Sequence, residues 1–187
     1  MTDSQEILTL VLGRNGCGKS TKVAQIISAF VKAGGRALIV MPDDMEWNKI
    51  PYIDVTNSEF MSQFKGVRKT IFLKGETLEN IRDHYSHGLL VFDDCRSYLN
   101  ASVEMELHYL LIRRRQRHIN TIAVAHGFTE VIPKLFTFAN NIILFGTSDR
   151  IEKRKDCIKD FDRMQAAKKR IDAKSLTNRF YSEIIPQ

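Results

Sequence analysis

Residues 13–20, Gly-Arg-Asn-Gly-Cys-Gly-Lys-Ser, constrain this chain more than any other segment. They match G-x-x-x-x-G-K-[ST], and they stand in the context that gives the pattern meaning. An apolar run, Ile7–Leu12, enters as a buried strand, and a helical pattern, Lys19–Lys32, leaves. Glycines let the backbone curl until successive N–H groups face one point, and the following helix adds the positive end of its dipole. Such a loop suits phosphate. Gly13, Arg14, Asn15, Gly16, Cys17, Gly18, Lys19, Ser20 and the adjoining Thr21 are therefore expected to wrap the phosphates of ATP. Lys19 is expected to reach the β- and γ-phosphate oxygens, Ser20 to give one oxygen to Mg²⁺, and Thr21 to lie near the α-phosphate. Cys17 reads either as an oxidisable thiol or as a small residue that the turn tolerates.

The remaining apolar runs lack alternation and are bounded by Gly, Pro or Asp, as buried parallel strands are. They are Ala37–Met41, Thr70–Leu73, Leu89–Phe92, Thr121–Ala125 and Asn141–Phe145. Helical patterns fall between them at Leu78–Ser86, Ser102–Arg117 and Thr129–Phe138, and a polar terminal helix is expected over about Asp149–Ala173. This alternation predicts an α/β chain with a mainly parallel central sheet and helices on both faces; with the phosphate-loop pattern added, it resembles the P-loop NTPase three-layer α/β/α fold, RecA/ASCE-like. The length of 187 residues suits one core. Residues 1–148 read as the P-loop ATPase domain, and 149–187 as a basic C-terminal helical extension packed on it. Residues 43–69, which hold the single tryptophan, Trp47, are the least regular stretch.

Two further strand ends carry candidate chemistry. Gly88–Asp94 is an apolar strand closing on two acids. The first acid in that position binds Mg²⁺ in P-loop NTPases, which assigns Asp93. The second can orient and deprotonate the attacking water, which makes Asp94 the candidate base, or it can simply cap the next segment. The strand Thr121–Ala125 ends at His126. If it lies between the acidic strand and the phosphate-loop strand, His126 faces the γ-phosphate and can sense it.

Charge is unevenly placed in a chain of net +6. Residues 113–117 hold four arginines, and residues 150–187 hold eleven Lys/Arg against six Asp/Glu, while the rest is slightly acidic. Such an excess points to an anionic partner, nucleic acid first, or to a solvated terminal helix. Lys65, Arg68 and Lys69, or the basic tail from Arg150, could grip phosphates. Four arginines within five residues cannot share one helix face, so some point to solvent or to a neighbouring subunit. No apolar run approaches about 18 residues, so no membrane span is expected. The polar start, Met1–Glu6, does not suit a signal peptide. Three widely spaced cysteines fit neither a disulfide framework nor a zinc pair, as in a reducing cytosol.

Together Gly13–Ser20, Leu89–Asp94 and Arg114–Asn120 followed by Thr121–Gly127 resemble the FtsK–HerA superfamily of DNA-pumping ATPases. In that superfamily a basic Arg-Arg-Gly-Arg-His-x-Gly stretch precedes a strand ending in Thr-Gln. Here Gln116 and Asn120 stand for the glycines, and Ala125-His126 for Thr-Gln. The short single-domain form is similar to genome-packaging ATPases of tailless icosahedral viruses with an internal membrane, and to filamentous-phage assembly ATPases, which usually carry a transmembrane segment. The resemblance implies ATP hydrolysis with Mg²⁺ coupled to translocation of double-stranded DNA. It implies a homo-oligomeric ring, usually a hexamer, working in the host cytoplasm with a viral capsid vertex as partner. It also implies that Arg115 or Arg117 acts across the subunit boundary, with Arg117 preferred. A small-molecule kinase and a non-enzymatic nucleotide switch are the rival classes; no arginine-rich lid lies between the late strands to favour the first.

Overall fold

The computed structural model describes residues 6–43 and 46–187, so the polar start read above falls outside it but for Glu6. Seven strands form one sheet: β1 Leu8–Leu12, β2 Ala37–Met41, β3 Val67–Ile71, β4 Gly88–Phe92, β5 Ile119–Ala125, β6 Asn141–Phe145 and β7 Ser182–Pro186. Their order is β3-β2-β4-β5-β1-β6-β7. All neighbours run parallel except β7, which returns antiparallel to β6.

The strands split their side chains between two cores at the two-residue period of a pleated strand. Leu8, Leu10 and Leu12 of β1, with Leu90 and Phe92 of β4, face one core. Val11, Leu89 and Val91 face the other. Helix α1, Lys19–Lys32, covers the second core through Val23 and Ile27. Helices α3 (Gly75–His84), α4 (Glu104–Arg113), α5 (Pro133–Phe138) and α6 (Phe161–Ser175) cover the first. Helices on both faces of a mainly parallel sheet make the expected three-layer fold.

The departures from expectation lie at the margins. A short helix, α2 (Ser58–Gln63), occupies the irregular stretch, capped by Asn57 Oδ1 accepting from the Phe60 N–H. Strand β3 begins three residues earlier than the apolar run Thr70–Leu73, because backbone pairing with β2 recruits Val67, Arg68 and Lys69. Helix α4 stops at Arg113 rather than Arg117; residues 114–118 turn so that the chain can enter β5. The terminal helix starts at Phe161, not near Asp149, since Asp160 caps it there by accepting from the Arg163 N–H. The segment expected as a helical extension, 149–187, also ends in a strand, β7, which extends the sheet at β6.

Strand β7 is tied to α6 by Arg170, whose Nε donates to Glu183 Oε1 at 2.9 Å, while the Tyr181 hydroxyl donates to the same oxygen at 2.8 Å. The Arg170 guanidinium and this hydroxyl hold the Glu183 carboxyl at about 2, below its usual 4.5. A carboxylate held below its unfolded value stabilises the fold above that value, and the contribution is lost as pH falls through the folded one. Glu183→Gln should therefore be less stable than wild type at about pH 7, and the gap should close as pH falls from 4.5 towards 2. Urea midpoints across that range test it; a gap that does not change with pH would refute it.

Candidate functional site

The carboxyl ends of β1, β4 and β5 meet at one cavity of about 570 Å³. Asn15, Gly16, Gly18, Lys19, Ser20 and Thr21 line one wall, and Glu46, Asp93, Asp94 and His126 line another. Gly18 precedes α1 at φ 94°, a left-handed conformation that favours glycine, and no side chain caps the helix there. The first N–H groups of α1 are thus left for a ligand. Gly13 is needed for a different reason: a Cβ on it would stand 2.5 Å from Phe145 Cβ and 2.8 Å from Cys17 Sγ. Cys17 itself is buried among Val11, Val23 and Phe145, and burial pushes its thiol pKa up, so it is a packing residue of the loop.

Lys19 is 7% exposed. Its ammonium donates to the carbonyls of Gly13 at 2.6 Å and Arg14 at 3.0 Å, and lies 3.2 Å from His126 Nδ1. Burial pulls its pKa down, against the pull of nearby acids that include Asp93 and Asp94. An ammonium can only donate, so Nδ1 of His126 accepts and Nε2 carries the hydrogen. That Nε2 stands 3.5 Å from Asp94 Oδ1. The expected sensor and the expected base are thus brought together with the loop lysine. Asp94 leaves the strand at φ 44°, ψ 50°, a conformation that Asp tolerates better than most residues, and its carbonyl accepts from the Ser97 hydroxyl at 2.7 Å. The backbone N–H of His126 donates to Glu130 Oε2 at 3.0 Å, and Glu130 also pairs with Arg96.

Asp93 is 6% exposed. Its Oδ2 accepts from the Trp47 indole N–H at 2.6 Å. Glu46, beside Trp47, faces the same cavity; burial and the charges of Asp93 and Asp94 raise its carboxyl pKa. Neither Glu46 nor Trp47 was anticipated as a site residue. The available signal was their place just past β2, the strand that pairs with β4. The Ser20 hydroxyl and the Asp93 carboxylate face this cavity as oxygen donors of the kind a hard divalent cation takes, although among the described residues no three acidic, histidine or cysteine side chains converge to hold a metal by themselves.

The arginine stretch lies elsewhere, at the amino ends of β4 and β5. Arg114 is buried and donates to the Leu111 carbonyl. Arg117 is committed to its own chain: its Nε donates to the Arg82 carbonyl at 3.1 Å, and its Nη2 donates to that of Asp83. Arg113 stands 3.7 Å from Asp83, and Arg115 is exposed. Of the other basic groups, Lys69 is buried at 6% exposure, which takes it out of reach of any surface polyanion. Arg150 and Lys153 join Arg14 and Arg96 around a second cavity of about 640 Å³ next to the phosphate loop, with Glu130 and Asp149 as the acids.

No protein-family model matches the sequence, and no curated protein does either. Solved structures do share the fold. B204, the DNA-packaging ATPase from Sulfolobus turreted icosahedral virus, aligns with a TM-score of 0.71 at 16% identity, over 97% of this chain and 98% of that one. The genome-packaging NTPase B204 from Sulfolobus turreted icosahedral virus 2 in complex with ATP-gammaS aligns at 0.63 and 16% identity, over 97% and 92%. The N-terminal domain of zonular occludens toxin from Neisseria meningitidis aligns at 0.56 and 15%, over 97% and 94%. The chain has the P-loop NTPase fold of these proteins, as its resemblance to FtsK–HerA-type ATPases implied.

The close approach at Gly13 yields a direct test. Gly13→Ala forces a methyl into packed atoms, and overpacking of this kind costs about 1–3 kcal/mol. Chemical denaturation should show a loss in that range; an unchanged midpoint would mean that the loop has room to spare.

Proposed function

We propose that this chain is an ATP-hydrolysing DNA translocase, a viral genome-packaging motor working as a homo-oligomeric ring. The observation that carries the reading is the convergence of Lys19, Asp93, Asp94 and His126 on one cavity, with β5 lying between β4 and β1. The fold shared with B204, described as a DNA-packaging ATPase, supports the packaging role.

ATP would lie with its phosphates over Gly13–Ser20 and its γ-phosphate towards Lys19 and His126. Mg²⁺ held by Ser20 and Asp93 would neutralise phosphate charge. Water attacks the γ-phosphorus in line, the bond to the β-phosphate oxygen breaks, and the water proton passes to Asp94. ADP and phosphate result. Lys19 needs little movement to exchange carbonyl oxygens for phosphate oxygens. His126, already between Lys19 and Asp94, is placed to report whether the γ-phosphate is present.

A neighbour's arginine would complete the site. Arg117 is occupied within its own chain, so the role falls to Arg115. Strand β5 separates Arg115 from its own cavity by roughly 20 Å, so it can serve only the site of another copy. The cations around the second cavity, Arg14, Arg96, Arg150 and Lys153, would draw a polyanion to the phosphate-loop face.

The purified protein should hydrolyse ATP faster with double-stranded DNA, the stimulation fading as salt rises. Asp94→Asn should lower the turnover about 10²–10⁴-fold while ATP affinity holds. Equal rates with and without DNA across a salt series would rule out the motor. Arg115→Ala should cost about 10³–10⁵ in rate, and part of the rate should return when it is mixed with Asp94→Asn subunits, which still present Arg115 to a neighbour. No recovery on mixing would rule out action across the boundary.

A further inference from the structure

We infer that Phe180, in the turn before β7, is the stacking platform for the purine base of the bound nucleotide. This rests on the reading of Gly13–Ser20 as a nucleotide phosphate site. The γ-phosphate end of that site is marked by Lys19, Asp93 and His126, on the side of β5 and β4. The base must therefore leave on the opposite side of β1, towards β6 and β7.

Topology puts an aromatic ring there. Strand β7 is antiparallel to β6, with Ser182 opposite Phe145, so the residues just before β7 arrive beside the phosphate loop. Phe180 Cδ1 comes within 3.1 Å of where a Cβ on Gly18 would stand. The ring lines the phosphate cavity and also a side cavity of about 430 Å³ that continues from it past Gly18 and Thr21. Phe180 is 55% exposed even so, and the Arg179 guanidinium lies over its ring at 4.5 Å.

The rest of the side cavity fits the same ligand. Phe145 supplies further apolar surface, and Lys22, Gln25 and Ser182 place polar groups at the rim. Lys22 and Gln25 lie one turn apart on α1, so both can face the base or ribose. An apolar slot with a few convergent polar groups is the usual form of a small-ligand site. Stacking reads a π-face rather than a base edge, so it serves affinity more than base identity.

The test separates the base from the phosphates. Calorimetry on the full chain compares ATP with inorganic tripolyphosphate, each with Mg²⁺, for wild type, Phe180→Ala, Phe180→Leu and Phe180→Tyr. Phe180→Ala and Phe180→Leu should weaken ATP binding roughly 5- to 100-fold and leave tripolyphosphate binding within about twofold. Phe180→Tyr, which keeps the ring, should bind both as wild type does. Unchanged ATP affinity in Phe180→Ala, or an equal loss for both ligands, would overturn the platform while leaving the phosphate site standing. A wild-type chain that binds neither ligand would overturn the phosphate site and the platform with it.

Discussion

A buried ammonium group has few places to rest. Lys19 is almost wholly enclosed, and it is held by two carbonyls of its own loop and the ring of His126. Each of those partners depends on something larger. The carbonyls converge because Gly13 can press against Phe145 and because the loop closes at Gly18. The imidazole is in reach because β5 is inserted between β4 and β1, which sets His126 beside Asp94 and above Lys19. Remove all of these partners and the cation would be left uncompensated, at a cost of several kcal/mol for a desolvated charge; lose one, and the other two must carry it.

Local signals carried most of the frame. The phosphate loop declares itself through glycine spacing, and α1, β2 and β6 fall where periodicity puts them. The acids at the end of β4 and the histidine at the end of β5 were also legible, since apolar runs that stop on a polar residue are hard to mistake. What stayed hidden depends on pairing at a distance. Strand β7 is a short Ser-Glu-Ile-Ile-Pro segment that reads as a tail until β6 offers it an edge. Trp47 and Glu46 sit in an irregular loop, and nothing nearby in sequence says that Asp93 waits across the sheet. The arginines show the same limit: their number can be counted in the sequence, but only the folded chain shows that Arg114 is buried, Arg117 tied down and Arg115 exposed.

The two ends of the sheet have different work. Carboxyl ends gather carboxylates, a lysine and a histidine around one cavity. Amino ends carry the arginine stretch, part of it spent on joining α3 to the start of β5. The basic C-terminal segment is likewise divided. Arg154 satisfies the carbonyls of Phe128, Thr129 and Val131, and Lys168 that of Thr147, whereas Arg150 and Lys153 stay on the surface. Net charge therefore overstates the cationic surface offered to a partner, because several of these groups are used up inside the fold.

The bond from Trp47 to Asp93 also sets a threshold. It satisfies a nearly buried carboxylate from within the chain. A hydrogen bond to a charged group contributes about 1.5–3 kcal/mol, so any group that took the indole's place on Asp93 would have to offset that amount. A carboxylate with a partner inside its own chain is a weaker acceptor for any competitor than a bare one would be.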